Sequence, residues 1–192
     1  MLSGRRLDLL DPDPSDVDIA DIAHGLARVA RWNGQTIGAH SFSVAQHTVL
    51  VERIADATSG EGWTRGWRRA ALLHDAAEYV IGDLISPFKT AIGLDYKAFE
   101  LRLMAAVHRR FDLPDELPPQ VAARIKAADR IAAYFEATRL AGFTEDEGAT
   151  YFGVPSELPV DLWAEMTRMV AWPAERAQAA FLARFRELAE PS

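Results

Sequence analysis

The stretch AALLHDAAEYVIGD, residues 70–83, decides how this chain is read. Its apolar positions recur at helical spacing, yet it carries His74, Asp75, Glu78 and Asp83 within fourteen residues. Burying a charge without a partner is costly. Each group therefore needs an ion pair, a metal or a catalytic task, and the rest of the chain must supply it.

Working outward, the helical period persists almost everywhere. The spacing predicts a helix from about Trp67 to Val80, stopped by Gly82. Upstream, Asp18 caps a segment carrying Ile19, Ile22, Ala23, Leu26, Val29 and Ala30, which ends at Asn33-Gly34. Ser43 opens a capping-box pattern with Gln46, and its helix places Val44, His47, Val51 and Ile54 on one stripe. Downstream, residues 83–93 read as a loop, and Asp95 caps a helix with Phe99, Leu103, Val107 and Phe111. Another helix runs from Pro118-Pro119 to about Leu140 and is halted by Gly142. After a polar loop come a short helix near 160–170 and one from Pro173, a favourable first-turn residue. There is no internal repeat, linker or convincing strand pair. The expected architecture is all-α, a single domain over residues 1–192 built as a bundle of about seven helices.

Composition narrows the chemistry. A chain of 192 residues with 49% hydrophobic and 26% charged residues suits one soluble domain with a real core. Absence of cysteine excludes disulfides, thiolate metal sites and thiol nucleophiles, so any metal must be held by His, Asp or Glu. The first ten residues lack a signal peptide's apolar stretch, and no apolar run is long enough to span a membrane, so a cytoplasmic protein is expected. A net charge of −7 without a dense basic run argues against extended contact with nucleic-acid polymers. A small phosphorylated ligand is compatible with it.

The polar residues on inward stripes carry the argument. His47 lies three after Val44 and four before Val51, and His74 lies on the inward side of its predicted helix. Asp129 is four after Ile125 and three before Ala132. Singly, each has a plain structural reading: a satisfied core histidine, or an aspartate paired with Lys126 or Arg130. Together, on three helices that pack, they and Asp75 make a mixed nitrogen and oxygen site for one divalent ion. Two histidines favour Mn²⁺, Co²⁺, Fe²⁺, Ni²⁺ or Zn²⁺ and make Mg²⁺ less natural.

The order His47, His74-Asp75, Asp129 resembles the H…HD…D signature of HD-domain metal-dependent phosphohydrolases. The segments RWNG…SVAQH, LLHDAAEYVIGDLISPFK and IKAADRIAAYFEA are similar to the short branch of 5′-deoxynucleotidases and phage-type deoxynucleoside triphosphate triphosphohydrolases. The likeness covers roughly residues 3 to 140. It implies His47, His74, Asp75 and Asp129 as metal ligands, Glu78 as the catalytic helix glutamate and Asp83 as the aspartate that positions the attacking water. It further implies Arg31 and Trp32, closing the first helix, and Lys89 after Pro87 as substrate-binding residues. Arg28, one turn before Arg31, is expected to assist. Ile85 departs from the family, where proline is common.

The resemblance implies a hydrolase of deoxynucleoside phosphates with one divalent cofactor, a small nucleotide as partner and a homo-oligomeric assembly. Three cations near one metal tilt the expectation toward triphosphates. The alternatives are a cyclic or dinucleotide phosphodiesterase and a catalytically silent metal-binding interaction module.

Overall fold

Ser43 has extended backbone and its hydroxyl accepts from Gln46 N, which starts the central helix α2 (Val44–Ser59). A computed structural model describes residues 1–84, 94–156 and 158–189. Gln46 completes only half of the expected capping box. Its amide instead donates to Val170 O and accepts from Trp172 N, tying α2 to the loop before the last helix. α2 is buried on most of its circumference, as a helix surrounded by others must be.

Around it lie α1 (Ile19–Leu26), α3 (Arg65–Leu72), α4 (Glu78–Ile81), α5 (Leu94–Arg110) and α6 (Pro119–Arg139), followed by α7 (Glu145–Phe152), α8 (Val160–Thr167) and α9 (Ala174–Ala189). Helices α3, α6 and α9 pack on α2, and α1 packs on α4 and α9. The core of Ile22, Leu26, Val51, Ile54, Leu72, Leu73, Phe135 and Phe181 draws on five of these helices or their ends. Among the described residues there are nine α-helices rather than about seven, and no helix is long and apolar enough to cross a membrane. The all-α reading holds.

Three local differences from the sequence expectation shape the site. The helix predicted over 67–80 is two helices: α3 stops at Leu72, and residues 73–77 turn with i→i+3 bonds, Ala76 N to Leu73 O and Glu78 N to Asp75 O. The first helix ends at Leu26, well before Arg31. From there the chain is clamped to the start of α2 by a single antiparallel bridge, with Arg31 N bonded to Phe42 O and Val44 N to Val29 O. The polar loop after Gly142 contains α7, whose Thr144 and Glu147 form a reciprocal capping box.

Candidate metal centre and active site

The turn between α3 and α4 sets His74 and Asp75. His74 Nδ1 lies 2.8 Å from Ala71 O. A carbonyl only accepts, so Nδ1 carries the proton and Nε2 keeps its lone pair. On α2, His47 Nδ1 is 2.5 Å from Glu136 Oε1, and the carboxylate fixes the same tautomer. Both Nε2 atoms are buried without a hydrogen-bond partner.

Those two nitrogens face two carboxylates. His74 Nε2 stands 3.2 Å from Asp75 Oδ2, and His47 Nε2 stands 3.5 Å from Asp75 Oδ2 and 3.3 Å from Asp129 Oδ1. Donor atoms around one ion at about 2.1 Å are separated by about 3.0–3.4 Å for right-angled to tetrahedral arrangements. The spacing therefore fits a shared divalent ion. His47, His74 and Asp75 offer donors within 4.8 Å of one another, and Asp129 joins them through His47.

The electrostatics suit a cation-binding site. Burial alone would raise the Asp129 carboxyl, but His47, His74 and Lys126 hold it well below the usual range. Burial likewise opposes ionisation of Asp75, and the two histidines overcome it. His47 is pushed up to about 9: burial and Arg31 oppose its charge, and Glu136 and Asp129 outweigh them.

Glu136 is the residue that sequence reasoning missed. Fully buried, it takes His47 on Oε1 and receives both Arg31 Nε and Trp32 Nε1 at 2.9 Å on Oε2. Burial would raise its carboxyl, and Arg31 and His47 bring it down to about 2. A signal existed: Glu136 is seven residues after Asp129, two helical turns along the same face.

The remaining expected residues divide. Arg31 does reach the site, with one terminal nitrogen 3.8 Å from Asp75 Oδ2. Trp32 is there too. Its N–H is spent on Glu136, its ring meets Phe143 and Phe152 edge-on, and its backbone is left-handed (φ 56°). A bulky residue in that region is strained, and the triple grip of Glu136 and the two phenylalanines holds it. Arg28 is corrected. It bonds His24 O and Gln178 and pairs with Glu175, away from Arg31, because the chain leaves the helix between them. Glu78 is buried at the first position of α4, and Asp83 follows Gly82 close enough for its charge to favour that of Arg31. Lys89 lies outside the described residues, as does Ile85.

A cavity of about 600 Å³ opens onto His74, Asp75 and Asp129. Leu101, Met104, Leu117 and Ile125 give it apolar walls, and Arg102 and Lys126 add cations. His108 borders it with Nδ1 turned to the carbonyls of Pro114 and Asp115, a brace for that turn.

An all-α domain with two histidines and two aspartates around one prospective ion is the arrangement of HD-type phosphohydrolases. The sequence profile of the YfbR-like 5′-deoxynucleotidases matches residues 22–147, and the chain belongs to that family. It is also 53% identical over 188 residues to an uncharacterized protein of Rhodobacter capsulatus, covering 98% of this chain and 93% of that one. The family is one of metal-dependent hydrolases of nucleotides.

Proposed function

We propose that the protein is a 5′-deoxynucleotidase, hydrolysing deoxynucleoside 5′-monophosphates to deoxynucleoside and inorganic phosphate. The observation that carries this reading is the pair of buried Nε2 atoms facing two carboxylates, with His74, Asp75 and Asp129 lining an apolar-walled cavity. His47, His74, Asp75 and Asp129 hold the divalent ion. When bound, it supplies the positive charge that polarises the phosphoryl group and makes water a better nucleophile.

The protein's own groups do the rest. The apolar walls take the nucleoside and keep bulk water away from it, so that the attacking water is the one held at the phosphoryl end. Asp83, beside Arg31, orients the water that attacks phosphorus. Glu78 takes the water's proton and returns it to the 5′ oxygen as the P–O bond breaks. Arg31 keeps a fixed positive charge beside Asp75, facing the developing negative charge.

The expected tilt toward triphosphates rested on Arg28, Arg31 and Lys89 as a cluster. Arg28 is engaged elsewhere and Arg31 is ion-paired with Glu136, so neither adds a free cation for further phosphates, and the matched family is that of 5′-deoxynucleotidases. Monophosphate is therefore the substrate we favour. Chromatography of products from dAMP, dGMP and dATP with Mn²⁺ or Co²⁺ tests it. Nucleoside and phosphate from the monophosphates are expected; triphosphate release from dATP with untouched dAMP would reverse the assignment. We also propose a homo-oligomer, with exposed Tyr151, Val160 and Trp163 as candidate contacts, which light scattering checks.

A further inference from the structure

Lys126 sits one turn before Asp129 on α6, and its Nζ is 2.6 Å from Asp129 Oδ2. The other oxygen of the same carboxylate faces His47 Nε2 at 3.3 Å. One aspartate thus stands between a prospective metal ligand and a mobile ammonium. Lys126 also lines the 600 Å³ cavity, and its side chain is 65% exposed. Arg31 is different in kind: its side chain is 13% exposed and its Nε is held by Glu136.

We propose that Lys126 is a substrate-phosphate ligand which, without metal, is parked on Asp129. This rests on the phosphohydrolase reading of the cavity. A divalent ion and an ammonium compete for one carboxylate, and the ion, closer and doubly charged, prevails. The displaced ammonium is repelled by the ion and keeps a flexible four-carbon stem anchored at the cavity wall. The nearest new anion is the phosphoryl group held over the site, and Lys126 turns to it. The residue therefore has effects of opposite sign, weakening metal binding and strengthening phosphate binding. A brace that merely held Asp129 in place would strengthen both.

Lys126→Met keeps the stem and removes the charge. Mn²⁺ is titrated calorimetrically into the metal-stripped wild type and variant, and inorganic phosphate is then titrated into each Mn²⁺-loaded protein. Mn²⁺ should bind the variant about two- to fivefold more tightly, the scale of an exposed ion pair removed. Phosphate should bind it roughly tenfold or more weakly, the scale of a lost charge-assisted hydrogen bond, and Lys126→Arg should recover most of that loss. Weaker Mn²⁺ binding in Lys126→Met, or unchanged phosphate binding, overturns the proposal. Neither titration needs turnover. A wild type that binds both ions yet cleaves no nucleotide would sink the hydrolase reading and leave the role of Lys126 decided by the same curves.

Discussion

Glu136 joins His47, Arg31 and Trp32 through one carboxylate, and its loss should be felt at the metal first. Glutamine in its place offers one acceptor oxygen where the site uses two. Glu136→Gln should therefore lower divalent-metal affinity about 10–100-fold, as for other carboxylates behind a ligating histidine. Calorimetric titration checks this, and undiminished affinity would make Glu136 a partner of Arg31 alone. The same contact sets a pH dependence. In the metal-free protein His47 keeps its proton up to about pH 9, against an ordinary value of 6.5. The folded state then binds more protons than the unfolded state between those values, so metal-free stability falls as pH rises through that window. A metal must displace the proton, so its affinity rises over the same window. Melting the stripped protein and titrating Mn²⁺ at pH 6.5 and 9 tests both, and a flat metal affinity would contradict a proton held on His47 over that window. The convergence of His47, His74, Asp75 and Asp129 was legible in the sequence, because a histidine or aspartate on an apolar stripe stands out. Glu136 shares the stripe of Asp129 but follows it by two turns and has no partner nearby in sequence, so nothing local marked its task. Its partners come from residues 31, 32 and 47, which only tertiary packing brings together.

Helix spacing alone showed most of the element pattern from Asp18 to the last helix, passed over α7 in the polar loop after Gly142, and failed where side chains compete with the backbone. The segment 70–83 keeps helical periodicity, yet His74 Nδ1 takes Ala71 O and the following amides bond three residues back. The break lets adjacent residues His74 and Asp75 serve one site. It also brings α4 against α1 at close quarters. A Cβ on Gly25 would lie 2.8 Å from both Cβ and O of Tyr79, and the oxygen belongs to backbone that cannot turn aside. Gly25→Ala should destabilise the fold by about 1–3 kcal/mol, the usual cost of overpacking, and shift α4 with Glu78 on it. Thermal melts should show the loss, and an unchanged midpoint would mean that α1 and α4 slide apart freely. The end of the first helix was misplaced for a related reason. The apolar spacing continues through Val29 and Ala30, but their backbone is taken by the bridge to Ser43, a non-local bond that periodicity does not register.

Across the whole molecule, the candidate metal site sits where α2, α6 and the α3–α4 turn meet. The far side of α2 is fastened separately. Glu52 is fully buried there and accepts from Arg68 on α3 and from Arg184 on α9 at 2.6–3.0 Å. Arg184→Met should therefore lower the melting temperature while leaving Mn²⁺ affinity close to that of the wild type, since a buried carboxylate loses a partner far from the ligands. Composition disfavoured nucleic-acid polymers and left small anions open; the cavity sets Arg102 and Lys126 beside Asp75, Asp115, Glu116 and Asp129 among apolar walls. What composition could not convey was how the cations are distributed: Arg28 pairs with Glu175 and Arg31 with Glu136. The central claim, that His47, His74, Asp75 and Asp129 hold one catalytic ion, is tested most directly by stripping the protein and following metal content and dAMP hydrolysis together as Mn²⁺ is returned to wild type and His74→Ala. The account predicts that hydrolysis vanishes with the metal, returns with one ion per wild-type chain and does not return in the variant. Full hydrolysis of dAMP by verified metal-free protein would contradict it.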